Sequence, residues 1–143
     1  AFTHDKKVIV EEFIKGRELE CAVLGTDNPF ASEVGEILSC NDFYDYDAKY
    51  ILGTSGLNIP ANIPKEASLE IRETAVKAFK ALGCFGLSRV DFFLADNGKV
   101  YLNELNTMPG FTSISMYPKL MENLGIPYGE LLDRLIKLAY ERN

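Results

Sequence analysis

The stretch GLSRVDFFLADNGKVYLNELN, residues 86–106, decides the fold. Residues 87–94 and 100–105 are rich in β-branched and aromatic side chains. They flank Asn97-Gly98, and this dipeptide between two such runs is the strongest short-range signal for a hairpin turn. The sequence therefore predicts two antiparallel strands joined by a two-residue turn.

The predicted turn also sets which residues face each other across the hairpin. Counting back from a two-residue turn places Asp91 opposite Glu104 and Arg89 opposite Asn106. Because strand side chains alternate between the two faces of a sheet, these four side chains are predicted to share one face.

Two carboxylates that lie directly opposite each other repel, unless a positive charge lies between them. Asp91, Glu104 and the Asn106 amide offer only oxygen ligands, which suits a hard cation such as Mg²⁺ better than zinc. The alternative is that Arg89 pairs with these acids on a solvated sheet face. Spacing alone leaves both interpretations open.

The segment that follows, residues 106–121, contains no acidic residue although the chain has 21. Gly110 allows close approach to a ligand, and Pro118 suits the first turn of a predicted short helix. The N-terminus of a helix favours anions, so the segment could hold a carboxylate or a phosphate, although ordinary turn and capping chemistry explains it equally well. Its hydroxyl groups come from Thr107, Thr112, Ser113 and Ser115.

The remaining elements place the hairpin in an α+β fold, an antiparallel sheet with packed helices. Three further strands are predicted at residues 8–10, 19–24 and 31–38. One helix is predicted over residues 66–82, with apolar positions Ile71, Ala75, Ala78, Phe79 and Leu82 and a stop at Gly83. A last helix has the apolar stripe Tyr128, Leu131, Leu132, Leu135, Leu138 and Ala139.

Composition limits the class of protein. The chain has 143 residues, 47% of them hydrophobic, and a net charge of −6, which argues for one domain and against binding of nucleic acid through bulk charge. It contains no apolar run long enough to span a membrane and no signal peptide, so we expect a cytoplasmic protein that does not bind membranes. Because it opens at Ala1 without an initiator Met, we expect it to be part of a longer protein.

Two regions are ambiguous from residue pattern alone. The N-terminal acids, including Glu18 and Glu20, are typical of a solvated strand face. Residues 41–50, NDFYDYDAKY, have neither helical nor strand periodicity and are predicted to form a structured loop. Within that loop Lys49 is either a surface ion-pair partner or a phosphate ligand.

Four stretches, taken in order, resemble the D-alanine:D-alanine ligase family of ATP-grasp enzymes: VEEFIKGRELECAVLG, FYDYDAKY, GLSRVDFF and YLNELNTMPGFTSISMYP. The motif RVDFF followed by NELN resembles one that is shared widely among ATP-grasp proteins. FYDYDAKY and NTMPGFTSISMYP resemble motifs that are more specific to these ligases. The resemblance covers essentially the whole chain. It implies that residues 1–143 form the C-terminal ATP-grasp lobe, with the N-terminal substrate domain and the central lobe outside this chain.

The resemblance also implies roles for individual residues. For ATP, it implies that Glu11, Phe13 and Ile14 form the adenine slot, Glu18 binds the ribose and Lys49 contacts the transferred phosphate. For the metal, it implies that Asp91, Glu104 and Asn106 bind Mg²⁺ or Mn²⁺. For the reaction centre, it implies that Arg89 and the Gly110 N–H stabilise the oxyanion, Ser115 and Met116 seat the second substrate's carboxylate, and Tyr50 lies on a closing loop.

The activity implied by the resemblance is ATP-dependent ligation of two D-alanines, through an acyl phosphate, for peptidoglycan synthesis. The full-length protein would bind ATP and D-alanine, and a homodimer is compatible with the resemblance. The fragment alone is expected to be inactive, because it contains only part of the nucleotide cleft.

Three alternatives remain open. The second substrate could be D-serine or D-lactate. The chain could belong to an ATP-grasp enzyme that uses another carboxylate and nucleophile. It could also be a non-catalytic metal-binding module with oxygen ligands, which would bind metal without an adenine pocket.

Overall fold

The computed structural model describes residues 2–38 and 56–142, so the predicted site residues Lys49 and Tyr50 lie outside the described residues, as does the loop predicted at 41–50. Five antiparallel strands form one sheet in the order β3-β2-β1-β4-β5. The strands are β1 (Gly16–Gly25), β2 (Phe30–Leu38), β3 (Gly56–Asn58), β4 (Gly86–Ala95) and β5 (Val100–Asn106). The described helices are α1 (Lys65–Ala81), α2 (Met116–Asn123) and α3 (Tyr128–Tyr140). The α+β class is confirmed.

Helix α1 covers one face of the sheet and forms the larger part of the core. Ile71, Ala75 and Phe79 recur at helical spacing and are completely buried against β1, β2 and β4. Gly83 ends the helix as predicted, with φ of +63°. Leu82, predicted on the buried stripe, is 68% exposed, because it follows the last helical residue and leaves the stripe there.

The opposite face, which we call the open face, is apolar at one end only. There the short helix α2 and the last helix α3 pack on it, and Tyr117, Leu120 and Leu131 are completely buried. Both helices were predicted, and Pro118 lies in the first turn of α2. The other end of this face carries the charged side chains of β1, β4 and β5.

The predicted two-residue turn of the β4–β5 hairpin is wrong. The Ala95 N–H donates to the carbonyl of Lys99 at 3.0 Å, so three residues lie between the paired positions. Gly98 makes this turn with φ of +82°, a backbone conformation that glycine adopts without strain.

A β-bulge then restores the predicted register. Phe92 pairs with Leu102 and Asp91 pairs with Glu104, so that Asn103 has no partner in β4. The extra residue of the turn and the bulge offset each other. The predicted pairing of Asp91 with Glu104 is therefore confirmed, as is that of Arg89 with Asn106.

The strand predicted at residues 8–10 is wrong. Residues 7–15 form no strand, and Ile9 and Val10 are 84% and 90% exposed. Strand β1 starts at Gly16, and the residues before it pair with no strand of the described sheet. A β-prone run becomes a strand only where another strand pairs with it, and this run has no such neighbour among the described residues. Among the described residues, no helix is both long and apolar enough to cross a membrane.

Candidate functional site

Three carboxylates lie side by side across the open face. Glu20 of β1 is in register with Asp91 of β4, and Asp91 is in register with Glu104 of β5. We call these three residues the carboxylate row. The sequence prediction included two of them, because the β4–β5 hairpin fixes that pair locally.

Arg89 is the cation of this row. Its Nε and Nη2 donate to the two Asp91 oxygens at 2.7 Å each, and its Nε lies 3.2 Å from Glu20 Oε2. The Arg89 and Asp91 side chains are 16% and 14% exposed, and that of Glu20 is 6% exposed. The Arg89 guanidinium therefore contacts two largely buried carboxylates, and the exposed Glu104 adds a third negative charge beside them, an excess over one cation.

The electrostatics of the row follow from that excess. Burial raises the pKa of the Asp91 carboxyl above its ordinary value, and the charge of Glu104 adds to the rise, while the hydrogen bond from Arg89 lowers it only in part. Burial alone would lower the pKa of Arg89, but the hydrogen bond to Asp91 and the charges of Glu20 and Asp91 outweigh this effect. The pKa of Arg89 therefore lies above its ordinary value. An added cation would therefore stabilise the ionised form of Asp91.

The Asn106 amide joins the two predicted metal-binding carboxylates. Its Nδ2 donates to Asp91 Oδ2 at 3.0 Å and to Glu104 Oε1 at 3.1 Å. Residues 2–38 and 56–142 contain no group of three or more His, Cys, Asp or Glu residues placed to hold a metal ion. The donor set here is different, two carboxylates and an amide, and it fits Mg²⁺, which usually keeps several waters and takes one or two carboxylates from the protein.

A second cluster lies in the loop at residues 107–115, before α2. The Ser115 Oγ accepts a hydrogen bond from the Thr112 N–H at 3.0 Å. A Cβ built on Gly110 would lie 3.0 Å from the same oxygen, so the two predicted site residues Gly110 and Ser115 are neighbours. Helix α2 begins at Met116 and has no acidic residue in its first turn.

The two clusters meet at Gly35 of β2. Gly35 is in register with Glu20, the first carboxylate of the row. A Cβ built on Gly35 would lie 2.8 Å from Met116 Sδ, so the start of α2 packs directly on β2 at this position. The structure therefore places the Met116 side chain against β2 at the position next to Glu20, which sequence spacing does not reveal.

The predicted nucleotide-binding residues are more dispersed. Glu18 lies on β1, two residues before Glu20, and so faces the same side of the sheet. Glu11, Phe13 and Ile14 lie before β1; Glu11 is exposed, Ile14 is half-buried and Phe13 is 87% exposed.

The interpretation of Glu20 as part of a solvated strand face is wrong, because its residue surface is only 4% exposed. Sequence analysis therefore left it out of the site. The signal was a charged residue inside an apolar run, with Leu19 and Cys21 on either side. Only the strand order, which places β1 beside β4, shows that this charge faces Arg89 and Asp91.

Comparisons with known proteins identify the family of this chain. The family described as D-ala D-ala ligase C-terminus matches residues 1–137. The D-alanine–D-alanine ligase of Acetivibrio thermocellus is 63% identical over 143 residues, and the match covers 99% of this chain and 38% of that protein. The chain thus spans about two fifths of the length of this curated relative.

Two solved structures share the fold. The VanG D-Ala:D-Ser ligase from Enterococcus faecalis has a TM-score of 0.76 and 47% identity, and the match covers 89% of this chain and 37% of that one. The D-alanine–D-alanine ligase from Bacillus anthracis complexed with ATP has a TM-score of 0.73 and 27% identity, covering 92% of this chain and 40% of that one.

Proposed function

The chain belongs to the D-Ala–D-Ala ligase C-terminus family, and from this premise we propose that it is the C-terminal ATP-grasp lobe of an ATP-dependent D-alanine:D-alanine ligase. The strongest support is the pairing of Asp91 with Glu104 under the Asn106 amide, beside a guanidinium that faces more acids than it can neutralise. Such a surface favours a cation, and a Mg²⁺ ion on it can in turn bind the phosphates of ATP.

Asp91, Glu104 and Asn106 are the residues that would hold the ion, with the Asn106 amide turned so that its oxygen faces it. Bound there, Mg²⁺ would offset the charge of the ATP phosphates during transfer. Asp91 would then share its oxygens between the ion and Arg89. Glu20 keeps a second contact with Arg89, which retains the guanidinium at this place when Asp91 turns toward the ion.

Negative charge develops on oxygen in both steps of the proposed reaction. In the first, a carboxylate oxygen of one D-alanine attacks the terminal phosphorus of ATP, the bond to the bridging oxygen breaks, and the products are an acyl phosphate and ADP. In the second, the amine of another D-alanine attacks the acyl carbon, loses a proton and expels phosphate, which leaves D-alanyl-D-alanine. Arg89 and the Gly110 N–H are the groups proposed to stabilise the oxyanion, since fixed donors of this kind act most strongly where water is excluded.

The start of α2 is proposed to bind the second substrate. Ser115 and the Met116 backbone lie at a helix N-terminus without nearby acid, which suits the carboxylate of D-alanine. Glu11, Phe13, Ile14 and Glu18 are proposed for adenine and ribose. Lys49 and Tyr50 keep their predicted roles toward phosphate and substrate.

The remainder of the protein is proposed to supply an N-terminal substrate domain and a central lobe. The reaction needs ATP, Mg²⁺ or Mn²⁺ and D-alanine in the cytoplasm, where its product enters peptidoglycan synthesis. Nucleic acid and membranes have no part in it. A homodimer of the complete protein stays a proposal that gel filtration can test.

D-serine is the second candidate for the second substrate. A relative with 47% identity over 89% of this chain is a D-Ala:D-Ser ligase. D-serine offers the same amine nucleophile as D-alanine, whereas D-lactate offers a hydroxyl.

A chimeric ligase tests the proposal. This chain would replace the equivalent part of the Acetivibrio thermocellus ligase, to which it is 63% identical. We expect D-alanine-dependent release of phosphate from ATP, with D-alanyl-D-alanine as the main product by mass spectrometry when D-alanine, D-serine and D-lactate compete. Glu104→Gln should abolish most of this activity and raise the Mg²⁺ concentration required, while the 143-residue chain alone should release none.

The matched control is Glu33→Gln, because Glu33 pairs with Arg72 away from the carboxylate row. A chimera that folds and binds ATP but releases no phosphate on addition of any of the three acceptors would overturn the proposal.

A further inference from the structure

Three aromatic rings hold the loop at residues 107–115. The Phe111 ring lies between those of Tyr117 and Tyr128, with centroid distances of 5.7 Å and 5.5 Å. We call these three residues the aromatic clamp. Both pairs are tilted, the geometry in which aromatic contacts are attractive.

Tyr117 fixes the clamp to the sheet. It belongs to α2, it is completely buried, and its hydroxyl donates to the Val23 carbonyl of β1 at 3.1 Å. Burial raises the pKa of this phenol, which therefore stays a neutral donor. One side of the Phe111 ring thus packs against a residue that cannot move without breaking core contacts.

Tyr128 fixes the loop from the other side. It is the first residue of α3, and its hydroxyl donates to the Phe111 carbonyl at 3.0 Å. Tyr128 is 45% exposed and does not belong to the buried core cluster under α2 and α3. Its ring contact and its hydrogen bond both act on Phe111, and the hydrogen bond holds the backbone of the loop itself.

The rest of the loop has few apolar anchors. Met108 and Ile114 are 94% and 58% exposed. Phe111 is therefore the fixed point of the loop, and it lies between Gly110 on one side and the turn that Thr112 and Ser115 close on the other. A shift of the Phe111 backbone would move both Gly110 and Ser115.

We propose that Tyr128 is a positioning residue for the second substrate, acting through Phe111 on Gly110 and Ser115. The inference rests on the proposed function, because it takes the Gly110 and Ser115 region as the place where the acceptor carboxylate and the oxyanion are held. Misplacement by about 1 Å can cost two orders of magnitude in rate, so a single hydrogen bond on this backbone is expected to matter for acceptor use.

The experiment uses three variants of the chimeric ligase. Tyr128→Phe removes the hydroxyl donor and keeps the ring, and Tyr128→Ala removes both. The matched control is Tyr140→Phe, the same substitution at the other end of α3, where the side chain is 80% exposed. The measured quantities are KM for acceptor D-alanine, KM for ATP, kcat, and hydrogen exchange of the amides at residues 107–115.

Tyr128→Phe should raise KM for acceptor D-alanine about threefold to tenfold, the range for one lost hydrogen bond, and leave KM for ATP within about twofold. Tyr128→Ala should raise KM for acceptor D-alanine further and speed amide exchange at residues 107–115. Tyr140→Phe should change neither the acceptor KM nor the exchange. An equal rise of both KM values would indicate a general loss of structure and overturn the inference. So would faster exchange in Tyr128→Ala without a change in acceptor KM, or no change in exchange at all.

The two proposals fail in different ways. If the unmodified chimera folds and ligates no acceptor, the proposed function is wrong. If it ligates D-alanine and Tyr128→Ala leaves acceptor KM unchanged, only the role of Tyr128 is wrong.

Discussion

Two arginine–carboxylate pairs lie on opposite faces of the same sheet. Toward α1, Arg17 of β1 donates from Nε and Nη2 to both oxygens of Glu36 of β2, at 2.5 and 2.6 Å, and from Nη1 to the Asn62 carbonyl at 2.8 Å. On the open face, Arg89 donates to both oxygens of Asp91. The two pairs have the same bidentate geometry and different surroundings.

The surroundings move the two carboxyl groups in opposite directions. The hydrogen bond from Arg17 lowers the pKa of Glu36 below its ordinary value, more than burial raises it. At Asp91, burial and the like charge of Glu104 together raise the pKa more than Arg89 lowers it. Arg17 serves one acid, whereas Arg89 is shared with Glu20. The Arg17–Glu36 pair, with one charge of each sign, stabilises the fold. Around Arg89 the negative charges outnumber the positive one, so a further cation would be stabilised there.

Arg89→Met should have the largest effect of the changes considered. It leaves Asp91 buried without the guanidinium that pairs with it and removes one contact of Glu20, and breaking a buried pair from one side costs about 3–5 kcal/mol. Urea unfolding of the chimeric ligase measures this. The control is Arg72→Met, which breaks a half-exposed pair with Glu33 and should cost about 1 kcal/mol or less. Equal costs for the two variants would contradict the comparison.

Insertion of one alanine between Asn103 and Glu104 should be next in size. Asn103 is already the extra residue of the bulge, so a second one would move Glu104 out of register with Asp91 and toward the α1 face of the sheet, because a slip of one residue reverses every side chain that follows. We expect ligase activity to fall on the order of 10²-fold, the cost of a misplaced ligand. Deletion of Asn103 is the control, since Glu104 would then follow Leu102 directly and stay opposite Asp91, and it should retain activity. Full activity in the insertion variant would show that Glu104 is not needed on the open face.

Neutralising the carboxylate should cost more stability in the Arg17–Glu36 pair than in the Arg89–Asp91 pair. Glu36→Gln should destabilise the metal-free protein by about 1–3 kcal/mol, because Arg17 loses its buried charge partner. Asp91→Asn should cost less than this, since Glu20 still pairs with Arg89 and one of three crowded acids is neutralised. Unfolding in EDTA compares them. A larger loss for Asp91→Asn would mean that the carboxylate row is a structural pair like the other.

The smallest expected effect is a dependence of stability on pH. The folded-state pKa of Glu36 lies below the unfolded value of about 4.3, so its stabilisation is present above that pH and is lost as pH falls through the folded pKa. The difference in unfolding free energy between the unmodified protein and Glu36→Gln should therefore narrow, by about 1 kcal/mol, from pH 6 to pH 3. A difference that stays constant over this range would argue against the ionised pair.

The β4–β5 hairpin was predictable because its information is local. Asn97-Gly98 located the turn, although the turn has three residues and a bulge restores the register. The bulge itself was visible in VYLNELN, where the apolar spacing changes from two at Val100 and Leu102 to three at Leu105. The prediction of Asp91 opposite Glu104 was right although one of its steps was wrong.

Glu20 and the false strand at residues 8–10 show what local patterns cannot give. Whether a β-prone run joins a sheet depends on a free strand edge, and which charge faces which depends on strand order. Both are set by contacts between residues far apart in the chain. The role of Gly35 was equally hidden, because a glycine in a strand does not indicate which helix will approach it.

Gly35 sets how closely α2 approaches β2 at the proposed reaction centre. With no side chain there, the start of α2 lies so close to β2 that an added methyl group would overlap Met116 Sδ. The least costly relief is a movement of the flexible Met116 side chain, whose own backbone is proposed to hold the acceptor. Gly35→Ala is therefore expected to shift acceptor KM more than melting temperature, which steady-state kinetics and thermal unfolding can compare. If that shift is observed, substitution at Gly35 would alter acceptor preference without a change in any residue that is proposed to contact the acceptor.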